Sequence, residues 1–305
     1  GARVLVAGAA GAIGGELARQ IAGYGPASLV LLDLDDEGAG SMARSLASSV
    51  DPGTTAIVAE AADIADRVAL RAVLERHRPE IVFHAAALKD VPALEAEPVA
   101  AVRANVLGTW WLASLAVEHG CTRFVHVSSA KVASPCSVMG ASKRVAEHLV
   151  GQLGRRTGRA FLTVRLGNVI GGAGSMVPTF IDQIQGGGPV TVWGEEMTRR
   201  FLTGPEAVGL LLEAGGAAAG PATLLIESGE PVSIVEMVER LIRASGLRPD
   251  DIAITVTRPG PGERVHEVAY ATYFVAWEFL FRGWLLMGLR KALGDSVALW
   301  VQMLP

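Results

Sequence analysis

Residues 3–25 read RVLVAGAAGAIGGELARQIAGYG. RVLVA (3–7) is a short apolar run of the kind shown by a strand buried on both faces. It gives way to GAAGAIG, Gly8 to Gly14, with the spacing G-x-x-G-x-x-G. Beyond it Ile13, Leu17 and Ile21 fall on one face of a helix. Strand, glycine loop and helix in this order form the opening unit of a nucleotide-binding α/β domain. The glycines allow a tight turn, close approach of backbone N–H groups to a pyrophosphate, and packing of helix on strand. The helix N-terminus adds partial positive charge for the phosphates. Gly8, Gly11, Ile13 and Gly14 are therefore the expected dinucleotide contacts, against the plainer alternative of a structural turn.

The strands that follow fit this reading. LVLLD (29–33) is the second, and Asp33 stands at its end, about 20 residues beyond the glycine loop, where an acid grips the adenosine ribose. A carboxylate there repels a 2′-phosphate, so NAD is favoured and NADP stays open. TTAIVAE (54–60), IVFHAAA (81–87), RFVHVSS (123–129) and FLTVRLG (161–167) supply four more strands, separated by helical stretches at 65–77, 98–118 and 139–154. Regular alternation of strand and helix predicts a doubly wound parallel sheet covered on both faces. Asp63 and Ile64, after the third strand, are placed to meet adenine. Ala85, with Ala86 and Ala87, lets backbone pass close to the cofactor. Ordinary strand-end packing is the alternative for both groups.

After residue 170 the pattern loosens. GGAGS (171–175) is a connector, PVTVW (189–193) and TLLIES (223–228) read as strands, 232–245 as a helix and DIAITV (251–256) as a strand. The expected division is a dinucleotide-binding domain over 1–170, a smaller substrate lobe over 171–268 that exchanges elements with the first, and an apolar tail over 269–305.

Composition narrows the function classes. The chain has 305 residues, 50% hydrophobic and 19% charged, enough for a substantial core. The net charge of −4 is spread without a Lys/Arg block, which argues against nucleic acid as a partner. Cys121 and Cys136 have neither disulfide-framework nor zinc-site spacing, which fits buried thiols in a reducing compartment. No signal peptide opens the chain, and no ligand set for a metal is expected.

A resemblance can now be stated. GAAGAIGGELARQIAGYGP (8–26), HAAALKDVPALEAEPVAAVRANVLGT (84–109), PCSVMGASKRVAE (135–147), RLGNVIGGAGSMVPTF (165–180), GGPVTVWGEEMTRRFLT (187–203) and a degraded PGPGERVHE (259–267) carry it. Over residues 3–267 the chain resembles the polysaccharide-biosynthesis (CapD-like) nucleotide-sugar 4,6-dehydratases and epimerases, a family of extended short-chain dehydrogenases. In the long branch of that family this domain follows transmembrane helices, and the start at Gly1 fits an origin there. The resemblance implies a UDP-sugar substrate, bound NAD(P), a homo-oligomer and a place at the cytoplasmic face of a membrane.

The family reaction moves a hydride from sugar carbon 4 to the cofactor, eliminates water across carbons 5 and 6, and returns the hydride to carbon 6. It needs a base for the 4-hydroxyl, a base for the carbon-5 proton and an acid for the departing hydroxyl. Where the family has Thr-Asp-Lys after the fifth strand, this chain has Ser129, Ala130 and Lys131. Ser129 keeps a hydroxyl, Lys131 matches the carbon-5 base, and Ala130 has no proton to give. The Tyr-x-x-x-Lys pair of short-chain dehydrogenases appears as Met139 and Lys143, one helical turn apart. The long branch also carries Met at the first position. Lys143 is expected to hold the nicotinamide ribose, and core filling is the alternative for Met139.

For the rest of the substrate, Asn168 matches an asparagine beside the diphosphate and Arg199 an arginine near phosphate or ribose. Glu263 matches the glutamate of an Arg-Pro-Gly-Glu-Lys motif, and Lys89 a lysine close to the sugar, with a plain surface lysine as the alternative. Two family arginines are replaced, by Ala173 and Gly260. Dehydratase, 4-epimerase and a non-catalytic NAD-binding protein all remain open at this point.

The resemblance ends before AYATYFVAWEFLFRGWLLMGL (269–289), 21 residues with two charges. Glu278 and Arg282 stand four apart, so a helix would pair them. The segment resembles the first motif of CAAX-type intramembrane proteases, without that family's later histidines. Its apolar residues surround a helix axis almost completely, so membrane or intermolecular contact is expected of it.

Overall fold

The computed structural model describes residues 1–51, 53–171, 175–226 and 229–258. Glu263, Gly260, Ala173 and the apolar tail, with the protease resemblance expected of it, lie outside the described residues. Among those described, no helix is long and apolar enough to cross a membrane.

The first half alternates as expected. It runs β1 (Arg3–Ala7), α1 (Ala12–Ala22), β2 (Ser28–Asp33), α2 (Asp36–Ala47), β3 (Ala56–Ala61), α3 (Arg67–His77) and β4 (Ile81–His84). Two short helices, α4 (Val91–Ala96) and α5 (Pro98–Ala101), lead into a π-helical segment, Val102–Gly108, and then α6 (Thr109–Glu118). β5 (Arg123–Ser129), a 3₁₀ turn (Ala130–Val132), α7 (Val138–Thr157) and β6 (Ala160–Leu166) complete the alternation. The helix read over 98–118 is thus continuous in space but changes pitch at its centre, which hydrophobic period does not signal.

The second half holds β7 (Asn168–Ile170), α8 (Met176–Gln185), β8 (Val190–Trp193), β9 (Thr198–Arg199), β10 (Phe201–Thr203) and α9 (Gly204–Ala217). β11 (Ala222–Leu225), β12 (Val232–Ser233), α10 (Ile234–Ala244) and β13 (Ile254–Thr257) follow.

Seven strands form one parallel sheet in the order β11-β6-β5-β4-β1-β2-β3. The order reverses between β1 and β4, the switch point outside which α/β sheets bind ligands. Side chains alternate across this sheet with the strand period of two. Val4, Val6, Leu29, Leu31, Val125 and Val127 pack on one face with Leu17 and Ile21 of α1 and Val208 and Leu211 of α9. Leu5, Ala7, Val30, Leu32, Val82 and Phe124 pack on the other with α3, α6 and α7.

TLLIES, grouped with the substrate lobe in the sequence, contributes β11, which pairs with β6 in the large sheet. α9 makes the crossover and covers α1, with Gln20 Nε2 donating to the Pro205 carbonyl at 3.0 Å. The pairing covers an edge that β6 would otherwise expose. The break at 170/171 therefore divides the chain and not the sheet. What remains of the lobe has its own core. Ile234, Val238 and Ile242, spaced at helical intervals on α10, meet Phe180 and Ile184 of α8 and Val190 and Val192 of β8. β8 and β13 pair there in parallel.

Candidate active site

The glycine loop sits at the carboxyl end of β1, beside β4. Gly8 has a φ of +86°, and a Cβ there would stand 2.5 Å from the Ala86 nitrogen. A Cβ on Gly14 would stand 1.9 Å from the Gly8 carbonyl oxygen. Both positions accept only glycine, so loop and helix lie as close as the motif requires. α1 begins at Gly11 with no side-chain cap and no acidic residue in its first turn. α2, α3, α4 and α7 are instead capped by Asp35, Asp66, Asp90 and Ser137. The first N–H groups of α1 are left for an anion. Ile13 lies half-buried in that first turn, against the core.

Asp33 ends β2 with its carboxylate turned toward the loop. The Ala10 N–H donates to Oδ2 at 2.8 Å, and the Asp35 N–H donates to Oδ1 at 3.1 Å. Asp63 follows β3, where its Oδ1 accepts from the Ala65 N–H at 2.8 Å. Its other oxygen meets Arg103 at 3.4 Å, an exposed pair worth little. Ile64 is buried against Gly108 of the π-helical segment, where a Cβ would come within 2.8 Å of its Cδ1. Ala85 continues β4, its N–H donating to the Ala7 carbonyl at 2.8 Å. Gly8, Asp33 and Ala85 therefore stand on adjoining strand ends, with Asp63 and Ile64 beyond the outer strand.

β5 ends at Ser129, and the 3₁₀ turn places Ala130 and Lys131 next. Ser129 Oγ accepts from the Lys131 N–H at 3.2 Å. Met139 is core: it is buried with Val91, Leu94, Ala101 and Val138. Its carbonyl accepts from Ser142 Oγ at 2.9 Å. Lys143, one turn on, is 7% exposed, and its Nζ donates to the Val127 carbonyl at 2.9 Å. Burial pushes its ammonium down to about 8, Glu147 opposes that, and Lys89 adds to it. Lys89 itself is exposed on the loop after β4.

Several structural residues of this region escaped the sequence reading. Asn105, 1% exposed in the π-helical segment, clamps that loop. Its Oδ1 accepts from the Leu88 N–H at 2.9 Å, while Nδ2 donates to the Leu88 carbonyl at 2.9 Å and to Ser142 Oγ at 3.0 Å. π-helical turns are rare and often sit at functional sites. Glu147 of α7 holds Arg165 of β6 through two bonds, 2.7 Å to Nε and 2.5 Å to NH2, in full burial. The signal was available: His84, His126, Ser128 and Arg165 interrupt strands that should be apolar throughout.

The residues matched to the sugar nucleotide lie on small ribbons. Asn168 opens β7, which pairs with β10; its Nδ2 donates to the Arg200 carbonyl at 3.2 Å. Arg199 lies in β9, paired with β12, and is 3% exposed, with NH1 donating to the Thr198 carbonyl at 2.8 Å. A pocket of about 340 Å³ opens elsewhere, between α7 and β11, lined by Arg144, His148, Arg155 and Leu225; it contains none of the residues named for cofactor or sugar.

Comparison with known proteins places this arrangement. The chain is 39% identical over 265 residues to the capsular polysaccharide biosynthesis protein CapD of Staphylococcus aureus, covering 87% of this chain and 44% of that protein. It is 40% identical over 267 residues to the probable polysaccharide biosynthesis protein EpsC of Bacillus subtilis (strain 168), covering 88% and 44%. The chain thus spans less than half the length of these two relatives. Its fold is similar to MoeE5, solved in complex with UDP-glucose and NAD, with a TM-score of 0.71, 26% identity, and coverage of 86% of this chain and 87% of that one. A family model described as polysaccharide biosynthesis protein matches residues 4–273, and the chain belongs to that family.

Proposed function

We propose that the chain binds NAD and acts on a UDP-sugar in surface-polysaccharide synthesis, as a 4,6-dehydratase whose elimination step is slowed. The observation that carries this is the uncapped glycine-loop helix with Asp33 beside it, together with the buried Lys143 bonded to β5 of the same sheet. The loop passes the steric test for a dinucleotide, since a Cβ at Gly8 or Gly14 would occupy backbone. Gly8, Gly11, Ile13 and Gly14 would hold the pyrophosphate, Asp33 the adenosine ribose, Asp63 and Ile64 the adenine, and Ala85 and Lys143 the nicotinamide end. NAD, when bound, supplies a hydride acceptor that later gives the hydride back. Asp33 as a ribose contact supports NAD over NADP.

The chain's own residues divide the proton work unevenly. Ser129 would hydrogen-bond the sugar 4-hydroxyl, whose proton leaves to solvent as the hydride passes to the cofactor, and the Lys131 amine would take the carbon-5 proton. Met139 is packed in the core and moves no proton. Ala130 leaves the departing 6-hydroxyl without an acid, which costs about 10²–10⁴ in rate. Lys89, Asn168, Arg199 and Glu263 are proposed for the sugar and diphosphate.

Ala130 favours a second reading. Epimerisation at carbon 4 eliminates no water, so the missing acid does not hinder it. Incubation with NAD and UDP-N-acetylglucosamine decides between them by product mass together with the carbon-4 configuration read by NMR. A 4-keto-6-deoxy product, lighter by one water, supports the dehydratase. A product of unchanged mass and inverted carbon 4 supports the epimerase. Tight NAD binding with neither product leaves a non-catalytic cofactor-binding protein.

A further inference from the structure

Strands covered on both faces are expected to be apolar, yet β4 ends on His84 and β5 carries His126 and Ser128. All three side chains point to the α6/α7 face, since the alternating Phe83, Val125 and Val127 belong to the opposite core layer. They are 0%, 1% and 4% exposed. His84 and His126 stand in register across β4 and β5, with ring centroids 5.2 Å apart.

His84 is tied at one end. Its Nε2 lies 2.8 Å from Thr109 Oγ1, and that hydroxyl donates its single proton to the Asn105 carbonyl at 2.7 Å. His84 Nε2 therefore carries the hydrogen, and Nδ1 is a bare acceptor. Among the described residues, His84 Nδ1, both ring nitrogens of His126 and Ser128 Oγ have no hydrogen-bond partner. Buried polar atoms are satisfied by protein or by ordered water, and a water needs two to four polar partners. The Lys143 ammonium adjoins this cluster, bonded to the carbonyl of Val127, the residue between His126 and Ser128. An ammonium has three donors, and Val127 accepts one.

We propose that His84, His126 and Ser128 enclose a bound-water site behind the Lys143 ammonium, solvating it from inside the sheet and holding it toward the cofactor. They are positioning residues that act through Lys143, and the role rests on the reading of Lys143 as a cofactor contact. The charges around Lys143 leave this as the missing element. Glu147, one turn along α7, favours the ammonium, while Lys89 opposes it from the β4 loop. Both imidazoles are neutral, because burial holds His84 down at about 3 and His126 well below its usual value. Arg165 of β6 is engaged by Glu147, Glu95 of α4 accepts from the Val138 N–H at the start of α7, and Lys131 stands on the 3₁₀ turn. Water that accepts from Lys143 and donates to bare imidazole nitrogen offsets part of the ammonium's desolvation.

His126→Phe keeps a ring in place and removes both nitrogens; His126→Gln keeps polar atoms. The Lys143 ammonium is titrated by NMR on lysine-labelled protein, and NAD affinity is measured across the same pH range. His126→Phe is expected to lower the proton affinity of Lys143 about tenfold, with the decline in NAD affinity moving to lower pH by the same amount. His126→Gln should restore both. A folded His126→Phe protein with wild-type Lys143 titration overturns the water site. If the wild type binds no NAD, the cofactor reading fails, and the Lys143 titration alone still decides the water site. The unmodified protein provides a check independent of folding in the variants: magnetisation from long-lived water must reach the His84 and His126 ring protons, and its absence overturns the proposal.

Discussion

The proposed cofactor contacts stand on or beside the ends of long parallel strands, whereas the residues matched to the sugar nucleotide stand on ribbons two or three residues long. Gly8 and Ala85 are fixed by backbone bonds to Leu32 of β2 and Ala7 of β1, and the Asp33 carboxylate by the Ala10 N–H. Asn168 and Arg199 depend on the pairs β7–β10 and β9–β12. The family resemblance differs in the same sense: it matches the glycine loop, Asp33 and Lys143 to the family's residues, and implies that Ala130, Ala173 and Gly260 stand in place of an acid and two arginines. A dinucleotide site needs space and backbone donors, which the fold itself supplies. Elimination needs a proton donor at one point, which a single substitution removes.

That contrast is tested most strongly at Ala130. Ala130→Asp is expected to raise the rate of 4-keto-6-deoxy product formation by about 10²–10⁴, with NAD affinity unchanged, read by mass analysis and calorimetric titration. A variant that binds NAD normally and gains no product moves the defect to the lost arginine positions. A variant that loses NAD binding breaks the separation of the two halves.

How far the sequence disclosed this molecule follows from the same division. Strand period, glycine spacing and Asp33 are local signals, and they carried the parallel sheet and the cofactor loop. β11 was placed with the lobe because its partner residues in β6 lie sixty positions earlier, as in Ala222 against Leu162, and no local pattern encodes that pairing. The π-helical segment kept the apolar period of an ordinary helix, so the clamp made by Asn105 was invisible. His84, His126, Glu147 and Arg165 were legible only as exceptions in apolar strands and on a helix face. Their pairing depends on register between distant elements.

A middle-sized effect is expected at Lys143. Its folded value of about 8 lies below the ordinary 10.5, so the unfolded chain holds the proton more tightly. The destabilisation is complete below pH 8, declines as pH rises through the window from about 8 to 10.5, and is absent above it. Wild-type stability from this group therefore rises across that window. Lys143→Met removes the buried charge and the slope. After the cost of an orphaned Val127 carbonyl, the variant is expected to be more stable at neutral pH by about 1–2 kcal/mol. Denaturant unfolding at neutral pH and at about pH 10 checks this. NAD affinity of the same variant should fall about tenfold. A variant that gains stability and keeps its affinity would remove Lys143 from the cofactor contacts.

The smallest effect is expected at Asp33, because its carboxylate has two roles that partly offset each other. It accepts from the Ala10 and Asp35 N–H groups, which shapes the loop, and it faces the place proposed for the ribose. Asp33→Asn keeps one oxygen for the loop and removes the charge, so stability changes by less than about 1 kcal/mol. NAD affinity should fall by about three- to tenfold, since a charge-assisted bond becomes a neutral one. NADP affinity should rise, because the repulsion of a 2′-phosphate is gone. The ratio of the two affinities, from parallel fluorescence titrations, is the quantity to measure. It isolates the charge from any distortion of the loop, which would weaken both cofactors alike. A ratio equal to that of the wild type would show that Asp33 only shapes the loop and that selection between the cofactors lies elsewhere on the sheet edge.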